Sequence, residues 1–185
     1  CGVPWLLWVR EGVDDDLLLA DRRASLRFEE ELPDMVLRSI QDVPAVPDGL
    51  TIATVADTDG VRICRDLMMR GFEMPEGFVE QLIADAIVDD PAMRFVVGSV
   101  GDTPVSCAMV AVTGSTAGVY NVATPAEHRR RGYGTAVTWA AIQEGARSGC
   151  DHACLQASEL GAPIYRSMGF VDVGRYVQLE GPPVT

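Results

Sequence analysis

Residues 121–135 read N-V-A-T-P-A-E-H-R-R-R-G-Y-G-T, and this stretch decides the fold of the 185-residue chain. An apolar, β-rich run precedes it at 105–122, and a run of helix-forming residues follows it at 136–147. The pattern predicts a strand, a short turn and the start of a helix. The first N–H groups of a helix have no partner within it, and the helix dipole adds partial positive charge there. We therefore expect this turn to bind an anion such as a phosphate.

The residue types within the turn support the same expectation. Gly132 and Gly134 lack a Cβ atom, so a phosphate can approach the backbone closely. Arg129, Arg130 and Arg131 place three cationic donors beside it. The alternative is an arginine cluster that is solvated and only happens to precede a helix.

Two other phosphate-binding loops fit this sequence less well. A dinucleotide-binding fingerprint requires a third glycine where Val137 stands. A P-loop requires a lysine after its second glycine, and this chain contains no lysine.

Two motifs resemble signatures of the GNAT superfamily of N-acetyltransferases. The spacing Arg129-x-x-Gly132-x-Gly134 is similar to the family's pyrophosphate-binding motif, and residues 164–170, I-Y-R-S-M-G-F, resemble its second signature, L-Y-x-x-x-G-F. From residue 50 onward the predicted element order is β-α-α-β-β-β-α-β-α-β, which is the order of the GNAT fold. The resemblance implies an α/β (α+β) fold, with a mixed, mostly antiparallel, twisted sheet flanked by helices.

The same resemblance implies roles for individual residues. The backbone N–H groups of residues 130–135, which include Tyr133, and the hydroxyl of Thr135 would hold the pyrophosphate of acetyl-CoA. The strand residues before the turn would face the pantetheine arm and offer an N–H group to the thioester oxygen; these are Val122, Ala123 and Thr124. Tyr165 would protonate the departing thiolate. Ser158 stands where many relatives have asparagine, and it can either bind the pantetheine or cap a helix.

The general base is not evident from the sequence. Glu73 and Glu76 lie between the first two predicted helices of the domain, and Glu127 lies just before the arginines. Each can equally be a surface carboxylate, and water can carry the proton instead.

Composition narrows the class of partner. The formal net charge is -12 at pH 7, which makes nucleic acid an unsuitable partner. No apolar run is long enough to span a bilayer, so no membrane partner is expected. The five cysteines are scattered without C-x-x-C spacing, and the two histidines provide no zinc motif. We therefore expect no metal and a cytoplasmic protein with reduced thiols. The use of arginine without lysine suggests a bacterial source.

Residues 43–49 contain two prolines and a glycine and read as a domain boundary. The predicted domains are 1–43, 44–49 as a linker, and 50–185 as the acetyltransferase. In the first segment, the residue pattern predicts a strand at 4–9, a helix at 14–23 and two strands at 26–31 and 35–40. This order repeats that of the chain's end and suggests the tail of a degenerate first acetyltransferase-like half.

Within the main domain, we expect one helix to run from Asp57 or Thr58 to Gly71. A second helix would follow Pro75 and continue until Pro91, with Phe78, Leu82 and Ile83 on its inner face. A hairpin with a turn of about four residues, 101–104, would connect the next two strands.

The leading interpretation is an N-acetyltransferase that transfers an acetyl group from acetyl-CoA directly to a primary amine of a small molecule or peptide. The alternatives are a catalytically inactive acyl-CoA-binding regulatory module and a partner-binding domain with a coincidental loop. The sequence does not indicate an oligomeric state.

Overall fold

The computed structural model describes residues 5–13, 26–40, 43–74 and 78–181. The helix expected at 14–23 lies outside the described residues. In chain order, the strands are β1 (Trp5–Arg10), β2 (Arg27–Leu37), β3 (Leu50–Thr54), β4 (Met93–Val100), β5 (Thr103–Thr113), β6 (Thr116–Ala123), β7 (His152–Gln156) and β8 (Val171–Gly181). The α-helices are α1 (Thr58–Gly71), α2 (Phe78–Leu82), α3 (Tyr133–Arg147) and α4 (Ala162–Ser167).

The chain forms two compact units. The larger unit contains residues 37–154, and the smaller unit combines residues 1–36 with residues 155–185. Strand β7 begins in the larger unit and ends in the smaller one.

The larger unit is built on a sheet with the strand order β3-β4-β5-β6-β7. Its strands pair antiparallel, except that β7 runs parallel to β6 and pairs Thr116 with His152. Adjacent residues of a strand point to opposite faces. On β5, Met109 packs in the cluster formed with α1, whereas Val110 faces Gly145 of α3. The helices α1 and α3 therefore cover opposite faces of this sheet.

Helix α1 follows the sequence prediction closely. Asp57 is its N-cap, and its carboxylate accepts a 2.8 Å hydrogen bond from the backbone N–H of Gly60. The predicted inner face is buried, with Val61 and Cys64 fully inaccessible to solvent. The buried face anchors the helix to β5, which positions its C-terminal end, Gly71, against Ala123 at the end of β6.

The prediction of one long second helix was wrong. Helix α2 ends at Leu82, Ala84 is extended, and a separate 3-10 helix occupies Asp85–Asp89. Leu82 is 63% exposed instead of facing inward. Asp85, the first residue of this 3-10 helix, forms an ion pair with the buried Arg65 of α1 at 2.8 Å. The ion pair holds the segment that follows the break against α1. Tertiary contacts of this kind override weak helix propensity in a short segment.

The hairpin between β4 and β5 is tighter than expected. Its turn contains only Gly101 and Asp102, because Thr103 and Pro104 already pair with β4. Gly101 takes a positive φ of 57°, which suits a two-residue turn.

The smaller unit has β8 between β1 and β2, and both pairings are antiparallel. The two strands expected at 26–31 and 35–40 are one continuous strand, β2, so that prediction was wrong. Pro33 does not interrupt β2, because its carbonyl accepts a 3.0 Å hydrogen bond from Ala157 and a register shift follows at Asp34 and Met35. The buried Asp34 binds Arg10 of β1 at 3.0 Å.

Helix α4 begins with Pro163 in its first turn, as predicted, where the missing N–H costs little. Gly169 ends the turn with a φ of 95°.

The observed architecture is a mixed, largely antiparallel sheet flanked by helices, and it confirms the fold class predicted from the sequence.

Candidate active site

The geometry of the candidate site begins with a bulge in β6. Between Cys107 and Met109, β5 advances two residues while β6 advances three, from Ala123 to Tyr120. Asn121 lies within this bulge and has a positive φ of 53°. A bulge interrupts the ladder of backbone hydrogen bonds. Val122 and Ala123 complete β6 after this bulge, with Ala123 again paired to Cys107, and Thr124 follows the end of the strand.

The turn after β6 leads directly into α3. Gly132 is the N-cap residue of α3 and has a φ of 80°, a left-handed conformation that residues with a Cβ atom rarely adopt. Among the described residues, no side chain caps the start of α3, so its first N–H groups are left for another acceptor. A Cβ atom at Gly134 would lie 3.3 Å from Oγ1 of Thr124, which shows how closely the helix start approaches the end of β6.

The hydroxyl of Thr124 is itself held in place. It lies 2.8 Å from Oγ of Ser106, which also donates a 3.0 Å hydrogen bond to the carbonyl of Ala123. Ser106 is fully buried on β5. Ser106 was not predicted from the sequence, because a single serine in an apolar strand carries no distinctive signal.

The three arginines have different environments. Arg129 donates to two backbone carbonyls, from Nε to Thr124 at 3.0 Å and from Nη2 to Gly71 at 2.8 Å. In the described part of the chain, no hydrogen bond or ion pair involves the exposed side chains of Arg130 and Arg131. Arg130 also has a positive φ of 60°. Arg129 thus connects the end of α1 to the residue that follows β6. The N–H donors of Arg130 and Arg131 remain available for a ligand.

The larger unit brings together the predicted residues from Val122 to Thr135. Tyr133 differs from the other residues of the turn, because its side chain is buried against Leu50 and Val105. Tyr133 can therefore contact a ligand only through its backbone. Asn121 was not predicted. A signal was available, since asparagine adopts positive φ more readily than most residues.

Ser158 and Tyr165 lie in the smaller unit. The hydroxyl of Ser158 accepts a 3.2 Å hydrogen bond from the N–H of Gly161, so it supports the turn that begins α4. The half-buried ring of Tyr165 packs edge-on against Phe170 at 5.9 Å. This contact orients the ring, and it does not depend on the hydroxyl group.

The carboxylates suggested as bases have separate environments. Glu127 binds Arg70, and its own backbone N–H together with the Arg70 guanidinium lowers the pKa of its carboxyl. A lowered pKa makes this group a weaker base. Glu73 is exposed, and Glu76 lies outside the described residues.

Among the described residues, no group of three or more histidine, cysteine, aspartate or glutamate side chains has a metal-binding arrangement. No helix in the described part of the chain has the length and hydropathy required to cross a membrane.

Comparison with known proteins finds a family model that matches part of the chain. Residues 86–172 match the family model described as an acetyltransferase (GNAT) domain. This segment contains the β6 bulge, the arginine turn, α3, and the second motif around Tyr165. No curated protein sequence shows significant similarity to the chain.

Two solved structures with the same fold cover nearly the whole chain, and a third covers about two thirds of it. A GCN5-related N-acetyltransferase from Kribbella flavida is 22% identical with a TM-score of 0.76 over 97% of this chain and 68% of its own. One from Sphaerobacter thermophilus is 20% identical with a TM-score of 0.74 over 100% of this chain and 62% of its own. An aminoglycoside acetyltransferase from an uncultured soil metagenomic sample is 20% identical, with a TM-score of 0.55 over 65% of this chain and 87% of its own.

Residues 86–172 thus match a GNAT acetyltransferase domain, and the solved structures share its fold, which confirms the resemblance found in the sequence. Members of this family generally use acetyl-CoA, and they include enzymes for small amines such as aminoglycosides.

Proposed function

We propose that this protein is an N-acetyltransferase that transfers an acetyl group from acetyl-CoA directly to a primary amine. The observation that carries the proposal is the uncapped start of α3 beside the β6 bulge, with Arg130 and Arg131 at its edge. This arrangement fits a ligand that has a pyrophosphate followed by a flexible amide-containing arm.

The residues of the turn suit the pyrophosphate for three reasons. The N–H groups of residues 130–135 and the hydroxyl of Thr135 supply donors, and the two free guanidinium groups supply charge. Gly132 and Gly134 leave room for phosphate oxygens near the backbone. Arg129 would act indirectly, since its donors to Gly71 and Thr124 fix the turn.

Backbone groups of Val122, Ala123 and Thr124 would bind the pantetheine arm. Acetyl-CoA, when bound, supplies the activated acetyl group as a thioester. An N–H group in this segment would stabilise the negative charge that develops on the carbonyl oxygen. The hydroxyl of Tyr165 would donate its proton to the leaving sulfur. Ser158 would act through the turn that it supports at the start of α4, and water would accept the proton of the amine.

Thiol release from acetyl-CoA in the presence of an amine panel tests the proposal. We expect turnover with at least one primary amine and none without an amine. Binding of coenzyme A without turnover of any amine would favour the alternative, a regulatory module that binds acyl-CoA. Absence of coenzyme A binding in calorimetry would contradict both.

The domain arrangement is also a proposal. We infer that residues 1–43 are the tail of a first, degenerate acetyltransferase-like half, joined through 44–49 to the domain at 50–185. Support comes from the sequence, in which the strand-helix-strand order of this segment repeats that of the chain's end. If the segment is separable, a chain truncated before residue 49 should keep a folded core of residues 49–185. Cooperative loss of structure in circular dichroism would count against two separable units, because β1 and β2 both pair with β8.

The free cysteines among the described residues, Cys64, Cys107, Cys150 and Cys154, support a cytoplasmic protein with reduced thiols.

A further inference from the structure

A cavity of about 180 Å³ lies in the larger unit, between the sheet and the helices that cover one of its faces. Four of the chain's seven methionines line it, namely Met68, Met74, Met93 and Met109. Among the described residues that line it, Asn121 alone has a polar side chain. Methionine side chains are flexible and polarisable, so such a wall can adapt to ligands of different shapes.

The cavity has a buried floor and an exposed side. Met68 and Met109 are 1% and 7% exposed and form part of the floor. Phe72 and Leu82 are 41% and 63% exposed although both are large and apolar. Their exposure indicates that the cavity can be entered from this side.

The position of Asn121 connects the cavity to the reaction that we propose. Asn121 occupies the β6 bulge and is followed directly by Val122, Ala123 and Thr124. Its amide contacts Met109 only weakly, at 3.9 Å between Nδ2 and Sδ. The polar end of the cavity therefore lies beside the strand segment assigned to the acetyl donor, and the apolar part extends away from it.

The lining excludes acceptors that carry several positive charges. The described lining has no carboxylate. Glu73 stands between the lining residues Phe72 and Met74 but is exposed and does not line the cavity, while Asp85 binds Arg65 and Glu127 binds Arg70. A polycation would lose its hydration here without receiving compensating charge. A single amine next to an apolar group avoids this cost, and an apolar surrounding favours the neutral, nucleophilic form of the amine.

We propose that this cavity binds the hydrophobic group of a monoamine acceptor, of roughly the size of a phenyl ring or a branched five-carbon chain. Its volume is comparable with the roughly 150 Å³ of an engineered apolar cavity that binds benzene. The amine would lie at the Asn121 end, within reach of the acetyl group. This inference rests on the proposed acetyltransferase function, which it refines by naming the class of acceptor.

The first test compares amines with acetyl-CoA as the donor. We expect kcat/KM to be at least about tenfold higher for 2-phenylethylamine and isoamylamine than for ethylamine and ethanolamine, because each buried methylene contributes roughly fourfold. Kanamycin should be the poorest substrate. Equal or better turnover of ethanolamine or kanamycin would overturn the inference and leave the acetyltransferase function intact.

A pair of variants then locates the selectivity. Ile87→Phe narrows the cavity, whereas Val88→Phe adds the same ring to the next residue, which packs against the same core but does not line the cavity. We expect Ile87→Phe to reduce kcat/KM for 2-phenylethylamine about tenfold with little change for ethylamine, and Val88→Phe to preserve the wild-type ratio of the two amines. An unchanged amine ratio in Ile87→Phe, together with lost use of hexanoyl-CoA, would assign the cavity to the acyl chain and overturn the inference.

Calorimetry distinguishes failure of the proposed acetyltransferase function from failure of the cavity assignment. We expect 2-phenylethylamine to bind the wild-type protein with coenzyme A present, and to bind Ile87→Phe more weakly. If no amine is acetylated but this binding is observed, the proposed function fails and the assignment of the cavity stands. If 2-phenylethylamine does not bind, the assignment of the cavity fails even where other amines are acetylated.

Discussion

The Nη2 atom of Arg129 donates a 2.8 Å hydrogen bond to the carbonyl oxygen of Gly71, the last residue of α1. The same guanidinium donates through Nε to Thr124, just beyond β6. A carbonyl at a helix C-terminus has no partner within the helix. Arg129 therefore satisfies such a group and at the same time fixes the start of the proposed pyrophosphate turn.

This relationship predicts that Arg129 and Arg130 will respond differently to the same substitution. Arg129→Gln should lower the free energy of unfolding by about 1 kcal/mol, since it removes two hydrogen bonds to backbone carbonyls. Arg130→Gln should leave stability unchanged within about 0.5 kcal/mol, because that side chain has no partner in the described structure. It should weaken coenzyme A binding several-fold, because it removes a positive charge beside the proposed pyrophosphate site. Urea unfolding and calorimetry measure the two effects. Equal loss of stability in both variants would contradict this division.

Gly134 lies where the start of α3 approaches the end of β6. Gly134→Asp should abolish coenzyme A binding, because it places a carboxylate beside Thr124 and opposite the expected pyrophosphate. Gly134→Ala serves as the control. It adds a Cβ atom 3.3 Å from the Thr124 hydroxyl without adding charge, so its effect on binding should be smaller. Unchanged affinity in a folded Gly134→Asp protein would refute the assignment of this site.

Tyr165→Phe removes the hydroxyl that we expect to protonate the leaving thiolate. The ring contact with Phe170 remains, so stability and coenzyme A affinity should change little. Turnover should fall by roughly 10²–10⁴, the usual range for loss of a general acid. Wild-type turnover of the variant on its best amine would show that this tyrosine is structural and that water supplies the proton.

Helix α3 packs against β6 through Gly145 and Ala117. A Cβ atom at position 145 would lie 2.5 Å from the Cβ of Ala117, which is too close for two real atoms. Gly145→Ala should therefore destabilise the protein by about 1–3 kcal/mol, although alanine is the better helix former.

The double variant Ala117→Gly/Gly145→Ala checks the cause. The wild type, the two single variants and the double variant form a double-mutant cycle. Thermal unfolding of these four proteins should give a favourable interaction energy of about 1 kcal/mol or more between the two substitutions. Strict additivity would mean that the two positions do not clash.

The buried Cys107 predicts a dependence of stability on alkaline pH. Its interaction with Cys64 and its burial raise the pKa of the Cys107 thiol well above the ordinary value of 9.0. Above that pH, the unfolded chain releases the proton while the folded chain retains it. The folded state then binds more protons, so stability must fall as pH rises, by up to about 1.4 kcal/mol per pH unit.

Urea unfolding between pH 8 and 10.5 measures this slope. The variant Cys107→Ala should show a shallower decline than the wild type, because it lacks the thiol. Parallel declines for the two proteins would contradict the prediction.

Local patterns in the sequence determined much of the fold. The Asp57 cap, the helix that ends at Gly71 and the turn from Arg129 into α3 all depend on residues within a few positions of one another, and the structure has them where the sequence predicts them. The two motifs also indicated the family, because each lies between the elements that the GNAT fold requires.

Only the tertiary structure decided the features that depend on distant residues. The helix predicted through residue 90 breaks after Leu82, where Asp85 is paired with Arg65 from another helix. Arg129 binds Gly71, which is 58 positions away, and the sequence pattern could not distinguish this arginine from its two neighbours. The cavity behind Asn121 collects four methionines from separate elements. Helix and turn signals are short-range, whereas ion pairs, hydrogen bonds between distant residues and cavities form only when packing brings separate segments together.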